Sequence, residues 1–555
     1  MKESIIILGA GVMQGPAINI AKELGYYTIV LDGSSSAPCI SLADRFEQID
    51  LKDKEGIETF ARKVQSATNR LGIMTAGTDF SASVAWVAEK LGLPGIPYEA
   101  ALNASDKSRM RECFKKASLP SPEFFIITPD SPFLIPNSTL PLRFPLVIKP
   151  VDNMGSRGCR RVDSIDEFYE AVMTALNFSR SGRVIAEHFM EGPEFSVDAI
   201  VYHGEVTICG LADRHIFFPP FFIEMGHTMP AVIDEEKQQA LLDTFRAGIN
   251  ALGLDGKDSI GAAKGDIKLT ANGSSRAMIG EIAARLSGGY MSGWTYPYSS
   301  GVLPVKAAIL AAMGREPLEL KPLKKWTCAE RAFISIPGTI KEIVKSRIEE
   351  SGIKNAGITG NEQLTENYVN DFFLRVKEGD KVSFPENNVT KCGNIIVSAP
   401  DRETAIAAAE TAARSILIKL DPKDIGTKEF LAEMQGRNEK QKFPPDAFEL
   451  TDELRDALKK LPETIPNSPL PNHHSPLPTP RIIPFAEFQS SNAKDYMGRS
   501  INDAIEAVRL LTGLSLPITT ENAENIVRLG RSFWASLIRG SYQGAVYYID
   551  TLGEK

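Results

Sequence analysis

A chain of 555 residues exceeds what a single hydrophobic core supports and points to roughly two to four domains. Its 43% hydrophobic and 24% charged residues are ordinary for a globular protein, and a net charge of −8 argues against a general nucleic-acid or anionic-membrane surface. No apolar stretch reaches bilayer length, and six scattered cysteines without a CxxC pair suit reduced thiols in a cytoplasmic protein rather than a disulfide frame or a zinc site. The opening residues lead into only a short apolar run, which does not read as a signal peptide.

Residues 4–8 read as a buried strand, followed by a glycine-rich turn from Gly9 to Gly15, a helix to Leu24 and a second strand over 27–31 ending at Asp32. This is a βαβ opening. The turn is either a dinucleotide fingerprint with Asp32 on a ribose or a tight turn that needs small residues, and its third glycine comes one residue late for the fingerprint. Strand and helix alternate to about Pro97, with a strand at 72–77 and a helix at 81–91. A helix begins near Lys107, capped by Ser105 or Asp106.

A strand over 146–149 ends at Lys149 and meets the loop 153–158, which contains Gly155, Ser156 and Gly158. A strand-end lysine beside a glycine-rich loop suits nucleotide phosphates, because glycine lets backbone N–H groups approach oxygens closely. A solvated lysine and an ordinary turn are the plainer reading, and Lys107 carries the same two readings. The segment Glu187 to Glu194, which includes Met190, joins a strand over 183–186 to a hairpin over 195–202 and 205–212. It is either a polar connection or a backbone edge for an adenine, with a carboxylate for ribose hydroxyls.

The aromatic run 217–222 covers a loop or walls a pocket. Glu224 and His227 are substrate contacts or, for the histidine above all, structural groups. An amphipathic helix spans 234–252. Asp266 and Glu281 lie on two strands joined by a turn at 271–274, which would bring them side by side. Like charges so placed repel and call for a cation, and oxygen ligands of this kind hold Mg²⁺ against nucleotide phosphates. Arg285 follows Glu281 by four residues and leads into Ser287, Gly288 and Gly289. Beyond them, residues 328–420 read as a small α+β unit with a turn at Gly379 and Asp380 and a helix over 402–416. A proline-rich linker with His473 and His474 runs over 462–484, and a helical module over 493–550.

The order of these elements resembles the ATP-grasp superfamily over residues 1 to about 420, and its L-amino-acid ligase and carbamoyl-phosphate-synthase-like carboxylate–amine ligases most in look. The carrying motifs are Asp106-Lys107, Lys149 with its loop, Glu187 to Glu194, Asp266, and Glu281 with Arg285. Leu42 to Phe46 with Asp50 is similar to the Rossmann-like unit that precedes the grasp. Gly226 to Pro230, Gly379 to Val382 and Lys391-Cys392-Gly393 look like the amino-acid ligase branch.

The resemblance implies an α/β and α+β multidomain fold. It has a Rossmann-like pre-ATP-grasp domain (1–105), a two-lobed ATP-grasp domain (106–327), a closing α+β domain (328–420), a helical segment with linker (421–484) and a helical module (485–555). It implies ATP with Mg²⁺ (or Mn²⁺). Lys107 and Lys149 would contact phosphates, with the loop of Gly155, Ser156 and Gly158 closing over them. Glu187 and Met190 would lie at the adenine hinge, Glu194 at the ribose, Asp266 and Glu281 on the metal, and Arg285 on an acyl phosphate. Glu224, His227, Ser287 and Gly288 would face the substrate.

The implied reaction is amide formation from a small-molecule carboxylate and an amine, with no nucleic-acid or membrane partner and with room for a homodimer. The alternatives are a carboxylase or formate-dependent ligase of purine synthesis, a nucleotide-binding protein with weakened catalysis and, weakest, a dehydrogenase. One departure stands out: Ala283 occupies the place where the family usually carries an asparagine metal ligand.

Overall fold

In a computed structural model, residues 2–128, 140–270, 276–345, 368–432, 443–464, 480–520 and 527–553 are described. The turn expected at 271–274 and the two linker histidines lie outside them. The first unit is a parallel sheet of four strands in the order Arg45–Gln48, Tyr27–Asp32, Glu3–Leu8, Arg70–Thr75. Its central strand is almost wholly buried because helices cover both faces, which is why Ile5, Ile6, Ile7 and Leu8 run without alternation. The Asp32 carboxylate accepts the Ala10 and Ser34 N–H groups, so it fixes the glycine turn from within. Gln14 folds back over that turn and accepts the Gly11 N–H.

Four short antiparallel strands form a second sheet, ordered Phe124–Ile127, Val184–His188, Leu146–Pro150, Arg160–Val162, with the helix Ile165–Phe178 packed on it. A third, eight-stranded antiparallel sheet is the largest element. It runs Arg276–Ala283, Ile260–Thr270, Glu194–Tyr202, Glu205–Phe217, Ile223–Met229, Thr327–Phe333, Gly393–Ala399, Val369–Leu374. The sheet crosses the sequence-expected break at residue 328 without losing its pairing, since Ile223–Met229 bonds to Thr327–Phe333. The helix expected over 234–252 is Glu235–Leu252, with Asp234 accepting the Lys237 N–H as its cap.

The C-terminal residues have their own core around Phe448, Phe485, Phe488, Phe533 and Trp534. They dock on the third sheet's far end through polar anchors. Buried Arg539 donates to the Phe430, Pro444 and Pro445 carbonyls, and Gln543 takes the Ile336 N–H. Among the described residues no helix is long and apolar enough to cross a membrane.

Candidate active site

The cleft between the second and third sheets gathers most of the sequence-chosen residues. Lys107, Lys149, Ser156, Glu187, Met190, Glu194, Asp266 and Glu281 all line it. Strands and one helix carry all of them but Ser156 and Met190, which lie on loops. Lys107 opens the helix Lys107–Lys116, whose N-terminus is capped by Asp106 accepting the Ser108 and Arg109 N–H groups. Its Nζ reaches the Glu281 carboxylate at 2.9 Å and donates to the Asn153 carbonyl at 2.9 Å. Lys149 ends the strand Leu146–Pro150 and meets Glu187 at 2.7 Å.

The paired acids are where the strand reading placed them, with Asp266 in register opposite Glu281. Burial works against the charge on Glu281, but Lys107 and Lys264 outweigh it and hold its pKa well below the usual carboxylate range. Asp266 pairs with Lys264 and, at 2.9 Å, with Arg214, while its second oxygen, Oδ1, is buried without a hydrogen-bond partner. Two adjacent carboxylates with a free acceptor suit Mg²⁺, which keeps several waters and binds through one or two carboxylates plus substrate phosphates. Among the described residues no group of three acidic, histidine or cysteine side chains is spaced to cage an ion.

The hinge segment differs from its expectation in one respect. Glu187 is 3% exposed and turns its carboxylate inward, taking Arg111 Nε at 2.8 Å as well as Lys149. Burial is again outweighed, here by Arg111 and Lys149, so the carboxyl stays ionised. Glu187 therefore holds Lys149 in place. The hinge backbone is represented by Met190, whose carbonyl accepts from Lys268 at 3.3 Å. Gly192 stands at φ 131°, and a Cβ there would lie 2.0 Å from the Leu269 carbonyl oxygen, so the hinge tolerates only glycine. Val147, Met190, Ile216 and Phe222 give the cleft an apolar wall, and Phe222 stacks on Phe189 at 6.3 Å. The aromatic run is thus divided: Phe222 walls the pocket, while Phe218 and Phe221 pack against Phe384 and Phe443.

Arg285, Ser287 and Gly288 do not line that cleft. They form an adjoining loop clamped by the first sheet's unit, where Ala76 bridges Leu286 and the Gly77 N–H donates to the Leu286 carbonyl. Ser287 N–H donates to Asp198 at 2.7 Å, and Arg285 Nε is buried without a partner. Glu224 lies between cleft and loop. Burial opposes its charge, but Arg214 overrides it and holds the pKa down to about 2. His227 is fully buried, with Nε2 3.0 Å from Thr295 Oγ1 and Nδ1 3.3 Å from Glu330, so it is a packed core group here rather than an open substrate contact. Gly155 and Gly158 shape the loop around Ser156, and a Cβ on Gly158 would lie 3.0 Å from the Phe178 ring.

Several functional side chains escaped the sequence reading. Arg214 holds Glu194, Glu224 and Asp266 together, yet it is one arginine in a mixed strand. Lys264 and Lys268 did carry a signal, because alternation along a strand puts them on one face with Asp266. Asp79 sits in the field of Lys107 and Arg285, and burial raises its pKa. It arrives there only through the packing of the first unit on the Arg285 loop.

Most residues of the cleft fall within a stretch that is similar to a known domain family. Residues 142–289 match the ATP-grasp domain family, and residues 356–421 match L-amino acid ligase C-terminal domain 2. Matches to an ATP-grasp domain and to an L-amino acid ligase C-terminal domain therefore stand in one chain, in that order. Among curated proteins it is 25% identical over 252 residues to D-alanine--D-alanine ligase B of Pseudomonas putida, covering 42% of this chain and 77% of that one. It is 24% identical over 302 residues to alanine--anticapsin ligase of Bacillus subtilis, covering 50% and 61%. The fold matches the L-amino acid ligase of Bacillus licheniformis with a TM-score of 0.61 at 21% identity, covering 76% of this chain and all of that one. N5-carboxyaminoimidazole ribonucleotide synthetase from Thermotoga maritima matches with a TM-score of 0.54 at 17% identity, over 76% and 100%.

Proposed function

We propose that the enzyme joins a small-molecule carboxylate, an amino acid in the first instance, to an amine through an acyl phosphate, with release of ADP and phosphate. The observation that carries this reading is the cleft itself, where Lys107, Lys149 and Lys268 surround the Asp266–Glu281 pair beside an apolar wall. Lysines at this spacing neutralise a triphosphate, and the wall suits a purine. Lys107 and Lys149 would hold the phosphates in line with an incoming carboxylate oxygen, so that positioning and charge neutralisation supply most of the acceleration. Asp266 and Glu281 would hold Mg²⁺ or Mn²⁺, which would supply charge neutralisation at the phosphates. Arg285, on the adjoining loop, would bind the acyl phosphate until the amine displaces phosphate and the amide forms. The loop from Asn153 to Gly158 would exclude water, since hydrolysis of the acyl phosphate wastes ATP.

The test is ADP release measured against panels of amino-acid pairs, bicarbonate and formate. Stimulation by an amino-acid pair, with amide detected by mass spectrometry, is the expected result. Turnover stimulated only by bicarbonate with a nucleotide substrate would replace this reading with a purine-type carboxylase, and ATP binding without ADP from any substrate would leave a nucleotide-binding protein.

A further inference from the structure

Asn388 belongs to the closing unit, more than 230 positions from the glycine-rich loop, yet it meets that loop and the Glu224 strand at once. Its backbone N–H donates to the Gly155 carbonyl at 3.0 Å. Its side-chain oxygen accepts the Glu224 N–H at 2.8 Å, and its amide nitrogen lies 3.4 Å from Ser156 Oγ. The orientation of the amide is fixed by chemistry: a backbone N–H can only donate, so the oxygen faces Glu224 and the NH₂ group faces Ser156. Two neighbours brace the segment. Arg375 donates to the Asn388 carbonyl at 3.3 Å, and buried Lys391 donates to the Glu224 carbonyl at 2.6 Å.

From Glu224 the contacts continue through Arg214 to Glu194 and Asp266. One residue of the closing unit thus touches both the loop beside the lysines and the strand that carries Glu224. Neither position has a sequence signal for the other.

We propose that Asn388 is a positioning residue that latches the glycine-rich loop shut and ties its closure to the Glu224–Arg214 side of the site. This rests on the ligase reading above for its consequence, although the latch itself is a matter of loop position. With the latch made, the loop stays closed while the acyl phosphate exists. With it lost, water enters and adds to the acyl carbon. The carbon–oxygen bond to phosphate breaks, phosphate leaves, the carboxylate is regenerated and a proton passes to solvent. The net outcome is ATP hydrolysed to ADP and phosphate with no amide.

Two readouts test it on the full-length enzyme with Asn388→Ala and Ser156→Ala, and with Thr390→Ala as a neighbouring control whose side chain bonds only within its own turn. The first is trypsin cleavage after Arg157, in the loop, with a non-hydrolysable ATP analogue and Mg²⁺ bound. Cleavage about five- to tenfold faster than wild type is expected for Asn388→Ala, a smaller rise for Ser156→Ala, and none for the control. The second is the ratio of ADP to amide, expected to rise by a similar factor in Asn388→Ala at unchanged melting temperature. Equal cleavage rates in all four proteins would overturn the latch. Faster cleavage in Asn388→Ala, with no amide from wild type on any substrate pair, would keep the latch and overturn the ligase reading instead.

Discussion

The lysine-lined cleft and the adjoining Arg285 loop lie side by side but are built on opposite principles. In the cleft, buried charges have partners: Glu281 with Lys107, Glu187 with Lys149 and Arg111, and Arg214 with three carboxylates. Around the loop, buried polar atoms stand open. Arg285 Nε and Ser287 Oγ have no hydrogen-bond partner, and where the cleft borders the loop neither do Asp266 Oδ1 and Ser196 Oγ, which lie in register with one another. A buried ion pair is stable only when its bonds are made, whereas an open buried donor or acceptor costs stability until a ligand arrives. The difference teaches where substrate atoms belong. The cleft is assembled without a ligand, and the loop keeps open groups that the proposed substrates would complete.

Substitutions that exchange the two behaviours would break this contrast. Arg111→Met strikes the paired side hardest, because it removes two bonds to fully buried Glu187 and one to the Gly280 carbonyl. A loss of about 3–5 kcal/mol is expected in chemical denaturation. An unaltered unfolding midpoint would mean that the cleft pairs do not hold the lobes.

Arg285→Met strikes the open side. A fall in turnover of about 10²–10³-fold is expected, with a melting temperature equal to or above wild type, since only a bond to the Leu286 carbonyl is lost. Loss of activity and stability together would place Arg285 with the structural pairs.

Glu224 shows the pH dependence of the paired side. Its pKa is about 2 in the folded chain against an ordinary 4.5, so the native state binds its proton less readily than the unfolded chain does. The stability this gives is fully present above pH 4.5 and is lost as pH falls toward 2. Glu224→Gln should therefore flatten the acid limb of the stability curve by roughly 3 kcal/mol, measured by denaturation between those limits. An acid limb of unchanged slope would contradict the pairing with Arg214.

Ser196→Ala is the mildest case. Its hydroxyl is buried and unbonded, so stability should shift by less than about 0.5 kcal/mol or rise, while kcat/KM falls. A clear destabilisation would show that the hydroxyl already has a structural partner.

The sequence disclosed residues on both sides, Arg285, Ser287 and Gly288 among them, wherever a local pattern marks them. Asp266 and Glu281 sit on neighbouring strands close in sequence, and Lys149 stands near the end of a strand of buried aliphatics, so local periodicity finds them. The parallel sheet of the first unit was legible in the same way, from an unbroken run of aliphatics before a glycine turn. Arg214, Asp79 and Asn388 reach the site through packing between elements far apart in the chain, and no local pattern marks them. Glu187 and His227 were placed by motif, but burial among Arg111, Thr295 and Glu330 decides what their side chains meet. The C-terminal core around Trp534 was visible only as helical spacing. Its docking through Arg539 and Gln543 depends on carbonyls of other elements.

The most direct measurement uses amino acids labelled with heavy oxygen in the carboxylate, incubated with the enzyme, ATP, Mg²⁺ and an amine partner. If the Lys107, Lys149 and Arg285 geometry transfers phosphate to the carboxylate, one labelled oxygen passes to inorganic phosphate for each amide formed. Amide formation with unlabelled phosphate would contradict an acyl phosphate at this site.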